Sequence, residues 1–326
     1  MTLFRLLTEG TRALEQAGVP DAKEDAKQLL LTAFHLDLVH FLLNRMEQLE
    51  ENSRNESSIE LYRDMIRRRR GRCPLQQILG WQEFMGLEFY VNSHVLIPRQ
   101  DTETLAEQVL ADTDSFGEKS RRGDHKSLLD LCTGSGCIAV SLARKGLFDQ
   151  VAATDISGEA LKVAARNVEN LLPGWIVNTG ERGEEKQPEK GAGWFWLFQG
   201  DLFEALPKDG RRFDVIVSNP PYIPSAVINT LEPEVREHEP VLALDGKEDG
   251  LAYYRRIAAE AGDYLKPTGA VYVEIGCDQG EAVRRIFQAA GYKRIQIYQD
   301  LPGKDRVVKA WCREEDVLRF TDISEQ

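Results

Sequence analysis

Asn219-Pro220-Pro221-Tyr222, at the end of the apolar run Phe213 to Ser218, holds residue types from which a nitrogen-directed transfer can be built. Two prolines stiffen the backbone and remove two N–H donors, so the side-chain oxygen of Asn219 and the carbonyl oxygen of Pro220 can both face outward as acceptors. A planar NH2 group needs such a pair. An amide or aromatic amine has its lone pair delocalised; two acceptors holding both hydrogens keep the nitrogen aimed at an electrophile and favour the pyramidal geometry it must reach. Tyr222 offers a flat face to the substrate's planar group. No titratable base lies in the tetrapeptide. The pattern therefore predicts direct in-line transfer driven by positioning, an effect that supplies about 7 to 11 kcal/mol, with the proton lost afterwards and turnover nearly flat across neutral pH. Taken alone, the tetrapeptide also reads as a stiff loop without chemistry.

A seat for the electrophile lies upstream. Leu128-Leu129-Asp130-Leu131 runs as a strand into Cys132-Thr133-Gly134-Ser135-Gly136-Cys137 and on into a helix from Ile138 to Arg144. A Gly-rich turn between strand and helix lets a ligand lie against bare backbone, and the helix amino terminus favours a negative group. Such turns are common, but here Asp155 ends the next strand about 20 residues later, where a carboxylate accepts from ribose hydroxyls. Position 139 is Ala, so the third glycine of a dinucleotide fingerprint is absent. A single nucleoside with a carboxylate tail fits the turn better than a pyrophosphate. Asp201, after a third strand, can accept from an adenine amino group while Leu202 packs on the ring, or it can cap the following turn; the sequence leaves these readings level. The five histidines (His35, His40, His94, His125, His238) are scattered without partners at ligand spacing, so they are assigned to surface or packing roles and no metal is expected.

The elements that must position these residues are legible from periodicity. The chain has 326 residues, 42% hydrophobic and 29% charged, enough for one large domain and a smaller one. From Leu3 to about Arg72 the apolar residues recur at helical spacing: Leu3, Leu6, Leu7 and Leu14 share one face, and Pro20-Asp21 with Glu24 signals a cap for a helix burying Ala26, Leu29, Leu30, Ala33 and Phe34. A third helix is expected from about Ser57 into Arg67 to Arg70, an Arg run that reads as a solvated helix end, with an acidic partner as the alternative. Trp81 to Ile97 suggests a β-hairpin around Gly86. Beyond Ser127, strands at Leu128–Cys132, Val151–Thr154, Trp194–Gln199, Phe213–Ser218 and Ala270–Ile275 alternate with amphipathic helices, predicting a doubly wound, mostly parallel α/β sheet. Arg294–Tyr298 and Arg306–Trp311 are too close for a crossover and should pair antiparallel at the edge, making seven strands in all. Asn178 to Gly193 reads as a mobile surface insertion. The expected organisation is a helical domain over 1–78, a hairpin connector over 79–98 and a catalytic domain over 99–326.

Lys and Arg number 41 against 53 Asp and Glu, a formal net charge of −12, which disfavours bulk nucleic acid as a partner. The five cysteines form no CxxC pair, which suits a reducing compartment. With no long apolar run and no cleavage pattern near Met1, a cytoplasmic protein without membrane contact is expected.

These residues resemble those of the PrmC/HemK family of release factor glutamine methyltransferases, within the class I S-adenosylmethionine-dependent methyltransferases. The resemblance runs through Pro74-Leu75-Gln76, Ile78-Leu79-Gly80, Glu83-Phe84, Val95 to Arg99, Asp130 to Ala139, Asp155, Asn219 to Tyr222, Leu242 to Gly246, Glu274-Ile275-Gly276 and Asp305-Arg306-Val307. The tetrapeptide alone is shared with nucleic-acid methyltransferases; its combination with Ile97-Pro98-Arg99 and Asp305-Arg306-Val307 is more specific. The resemblance implies the class I methyltransferase fold and transfer of a sulfonium methyl to the side-chain amide nitrogen of the glutamine in the Gly-Gly-Gln loop of class 1 release factors. It implies that Asp130 belongs to the cofactor motif, that Cys132, Thr133, Gly134, Ser135 and Gly136 hold the methionine portion, Asp155 the ribose, and Asp201 with Leu202 the adenine. Asn219, which also borders the cofactor, would hold the substrate amide with Pro220, Pro221 and Tyr222, and the amino-terminal domain would recognise the release factor. Gln100-Asp101 depart from the family's Pro-Glu, and the insertion is longer than the family pattern. The alternatives are a ribosomal-protein glutamine methyltransferase, a nucleic-acid amino methyltransferase, and a non-catalytic S-adenosylmethionine-binding module. A monomer is expected.

Overall fold

The computed structural model describes residues 1–116, 126–179 and 188–312. These form two compact units, one of residues 1–81 together with 231–239, the other comprising the remainder.

The first unit is helical, with helices Leu3–Gln16, Ala22–Phe34, Leu38–Asn44, Ser53–Arg70 and Leu75–Leu79. Side-chain caps start three of them: Thr2 accepts from the Arg5 amide, Asp37 from His40 and Asn52 from Asn55. Asp21 stands at the start of Ala22–Phe34 as expected but makes no side-chain cap bond. Leu3, Leu6, Leu14, Ala26, Leu29, Leu30, Ala33 and Phe34 form the core with Tyr62 and Ile66, while Leu7 is half-buried against it. The Arg run divides: Arg67, Arg68 and Arg70 are exposed, whereas Arg69 is buried between Asp25 at 2.7 Å and Glu234 at 2.9 Å. Glu234 belongs to the short helix Pro233–His238, a late segment of the chain that joins this unit. Burial acts to raise its pKa, but hydrogen bonds from Arg72 and Arg69 win and hold it at about 2.

Strands β1 (Trp81–Phe84) and β2 (Leu87–Tyr90) form the expected hairpin. Left-handed backbone at Met85 and Gly86 makes the two-residue turn that matches strand twist. The second unit is built on β3 (Ser127–Leu131), β4 (Gln150–Asp155), β5 (Ile176–Asn178), β6 (Trp194–Gln199), β7 (Phe213–Ser218), β8 (Leu265–Glu274), β9 (Ile295–Gln299) and β10 (Asp305–Trp311), in the order β5-β6-β4-β3-β7-β8-β10-β9. The sheet thus has eight strands rather than seven, because three-residue β5 adds to β6. The antiparallel strand is β10, which pairs with both β8 and β9; β9 takes the edge itself. Alternate residues divide between two cores. Leu128, Val151, Val215 and Tyr272 pack under Gln100–Phe116, Cys137–Arg144 and Gly158–Leu171; Leu129, Ile216, Val271 and Val308 pack under Ala252–Tyr264 and Gly280–Ala289. That is the doubly wound arrangement. Of the expected insertion, 180–187 lie outside the described residues. No single helix among the described residues is long and apolar enough to cross a membrane.

Candidate active site

The chain order reverses beside β3: β4 lies on one side of it and β7 on the other, which in open α/β sheets places a crevice at the strands' carboxyl ends. There the backbone turns left-handed at Cys132, Gly134 and Gly136, with φ of 59°, 56° and 79°. A Cβ on Gly134 would meet nothing within 4 Å, so the turn presents bare backbone to open space. Cys132 adopts this conformation at a cost that glycine avoids. The turn is held from below: Thr133 N donates to Thr154 O at 3.0 Å, and Thr133 Oγ1 donates to Asp130 at 2.6 Å. Asp130 is fully buried, and burial pushes its carboxyl up to about 7 against the Thr133 hydroxyl and the Ala139 amide. Buried Asn167 donates to Ser135 O at 2.9 Å and to Tyr90 O at 3.0 Å, fixing the turn's far side.

Asp155 ends β4 with Oδ2 accepting from Gly134 N and Oδ1 from Ser157 N, both at 2.9 Å. A carboxylate has about four lone-pair sites, so each oxygen retains capacity for a ligand hydroxyl. Asp201 occupies the N-cap position of the short 3-10 helix Leu202–Ala205 without making a side-chain cap bond. Instead both its oxygens accept from Arg256 Nη1 at 2.8 Å. The capping reading fails, and the carboxylate is oriented by a residue 55 positions away. Leu202, buried, has φ of 50°.

Asn219 leaves β7 with Nδ2 donating to Thr102 Oγ1 at 3.2 Å, and Tyr222 Oη donates to Glu274 Oε1 at 3.3 Å. The backbone that follows is clamped. Gln279 Nε2 donates to Tyr222 O at 3.0 Å, Ile223 N to Leu244 O at 3.0 Å, and Gly246 N to Ile223 O at 2.8 Å. A Cβ on Gly246 would lie 2.8 Å from Tyr222 Cα, so only glycine lets the two segments approach this closely. One cleft, with an empty volume of about 1000 Å³ including its open mouth, is lined by Cys132 to Ser135, Asp155, Asp201, Leu202, Asn219 and Pro221. Asp130, Gly136, Pro220 and Tyr222 do not line it.

Residues 5–80 match the family model of the PrmC N-terminal domain. Over 307 residues the chain is 41% identical to the release factor glutamine methyltransferase of Geobacter sulfurreducens, covering 94% of this chain and 95% of that one. The chain belongs to the release factor glutamine methyltransferase family. The enzyme of that name from Clostridium acetobutylicum is 37% identical over 287 residues, covering 88% and 90%. The crystal structure of a protein-(glutamine-N5) methyltransferase (release factor-specific) from Alicyclobacillus acidocaldarius is 27% identical, with a TM-score of 0.36, and covers 69% of this chain and 99% of that one.

In this family member the cleft also draws on residues to which the sequence assigns no site role. Val95, Leu96, Pro98 and Arg99 line it, as do Leu242 and Ala243; both segments carry the family resemblance. Thr102 and Tyr253 also line it. His94, expected to be a surface or packing residue, stands exposed among the lining residues. Arg256 acts one contact behind the wall through Asp201 and has no local signal, because its partner is 55 positions away; Glu274, which belongs to the family resemblance, accepts from Tyr222 Oη.

Proposed function

We propose that this protein methylates the side-chain amide nitrogen of the glutamine in the Gly-Gly-Gln loop of class 1 peptide release factors, using S-adenosylmethionine. The carrying observation is that Asn219 and Pro221 share one cleft with the Gly134 turn and Asp155. The cleft fits the cofactor: a turn of bare backbone, a carboxylate with spare acceptor capacity and a buried leucine all line it. Cys132 to Gly136, on their Asp130 support, would hold the methionine portion, Asp155 the ribose hydroxyls, and Asp201 with Leu202 the adenine. Bound there, the cofactor supplies a sulfonium methyl, and its departing C–S pair stays on sulfur.

The chain's own contribution is positioning. Asn219 Oδ1 accepts one amide hydrogen within the cleft and Pro221 stiffens its wall; to Pro220 and Tyr222, whose sequence neighbours line the cleft, we assign the carbonyl that accepts the second hydrogen and the ring that bounds the planar group. The nitrogen lone pair is thereby directed at the methyl carbon, and the displaced proton leaves to water. We assign recognition of the release factor to the helical region 1–78, with the hairpin region 79–98 joining it to the catalytic region 99–326, and we take the enzyme to act as a monomer in the cytoplasm without binding nucleic acid. Asn219→Ala is expected to retain S-adenosylmethionine binding within about threefold by calorimetry while losing at least about 100-fold in transfer rate. Equal loss of both would remove Asn219 from the transfer step.

A further inference from the structure

Asp201 stands where a short carboxylate ordinarily turns inward to accept from the first amides of its own helix, yet it makes no such bond. Its two oxygens each accept from Arg256 Nη1 at 2.8 Å instead. One nitrogen equally far from both oxygens fixes the carboxylate plane and takes one lone-pair site on each. About two of the four sites stay open. Asp201 lines the cleft and Arg256 does not, so the guanidinium approaches from outside and leaves the cleft side of the carboxylate uncovered.

Arg256 comes from an element held firmly in place. Its neighbours Tyr254 and Ile257 on helix Ala252–Tyr264 are fully buried, and Tyr254 Oη donates to the Glu274 backbone carbonyl at 2.9 Å. The same helix grips the 3-10 helix a second time, where the Tyr264 ring stacks on Phe203 with centroids 4.8 Å apart. From the other side Gly200 N donates to Asp155 O at 3.0 Å, tying the Asp201 loop to the end of β4. The Arg256 and Asp201 side chains keep 35% and 38% of their exposure, and ion pairs so open to water add little to folding. Orientation of the carboxylate is what the contact achieves. Glu204, 3.8 Å from Nη2, is held more loosely.

We propose that Arg256 is a positioning residue that holds the Asp201 carboxylate out of its own helix as an acceptor for the exocyclic amino group of adenine, so that preference for a base bearing that group depends on Arg256. The inference rests on the reading of Asp201 given above. A hydrogen bond to an ionised acceptor is stronger than a neutral one, and it discriminates between ligands only when the acceptor is held ready for it. Without Arg256, Asp201 is released to cap the amides of Phe203 and Glu204 or to water, and the amino group meets no fixed partner. Because one nitrogen makes the contact, a lysine ammonium can supply it as a point charge.

Calorimetric binding of S-adenosylhomocysteine, and of its analogue with purine in place of adenine, reads this preference without a release factor. The two ligands differ only in the amino group. The wild type should bind the adenine ligand at least about 10-fold tighter. Asp201→Ala and Arg256→Met should both bring the ratio to within about threefold of one, while Arg256→Lys keeps a preference of at least about fivefold. In all three variants affinity for the purine ligand should stay within about threefold of wild type, and Tm within about 3 °C. A merely structural arginine would weaken both ligands alike. Arg256→Met with the wild-type ratio, or with equal loss of both ligands, would overturn the role of Arg256, and a ratio lost in Asp201→Ala alone would leave the adenine reading standing. The wild-type ratio in Asp201→Ala would overturn both.

Discussion

At the scale of single residues, three carboxyls divide the pH axis between them. Asp130 and Glu274 are held by burial at about 7, well above their ordinary values, so each favours the folded state in its protonated form. Their contribution is complete below the unfolded values near 4 and is lost as pH rises through 7. Glu234, held at about 2 by Arg72 and Arg69, works the other way: its contribution is present above 4.5 and lost as pH falls toward 2. The cofactor-free protein should therefore show a falling Tm between about pH 5 and 8 by calorimetry, with Asp130→Asn flattening that slope because an amide has no charge to bury. A Tm that climbs steadily over the same range, or an Asp130→Asn slope identical to wild type, would show that these carboxyls are not protonated on folding.

Among the elements, Ser53–Arg70 illustrates how a charged run can be structural. Arg69, with its side chain 7% exposed, satisfies Asp25 and Glu234 together, and its removal leaves two carboxylates without their shared cation. Arg69→Ala should destabilise the protein by about 3 to 5 kcal/mol in urea unfolding, whereas Arg67→Ala or Arg70→Ala, both at exposed positions, should change it by less than about 0.5 kcal/mol. A small effect at Arg69 would mean that the ion pairs contribute nothing net. The strands β3, β4 and β7 were legible because burial on both faces makes them continuous apolar runs. β5 was not: Ile176–Asn178 is three half-buried residues at the sheet edge. Helix Leu38–Asn44 escaped for a related reason, since Phe41 alone among its residues is buried. In the site, Asn219, Gly134 and Asp155 announced themselves through local motifs, while Arg256 on Asp201 and Thr102 on Asn219 join residues 55 and 117 positions apart, a spacing that no local pattern encodes.

For the molecule as a whole, an acidic chain with a net charge of −12 carries a helical unit with exposed Arg67, Arg68 and Arg70 and a second unit whose cleft is lined by a turn of bare backbone and by Asn219 and Pro221. We propose that one substrate unites these parts, a protein loop with a glutamine amide at its tip. The direct measurement is mass spectrometry of the Gly-Gly-Gln peptide from a purified class 1 release factor after incubation with this protein and S-adenosylmethionine. One added methyl group on the glutamine side chain is expected, absent when Asn219→Ala replaces the wild type. An unmodified glutamine under conditions where cofactor binding is verified, or a methyl group placed elsewhere on the release factor, would contradict it.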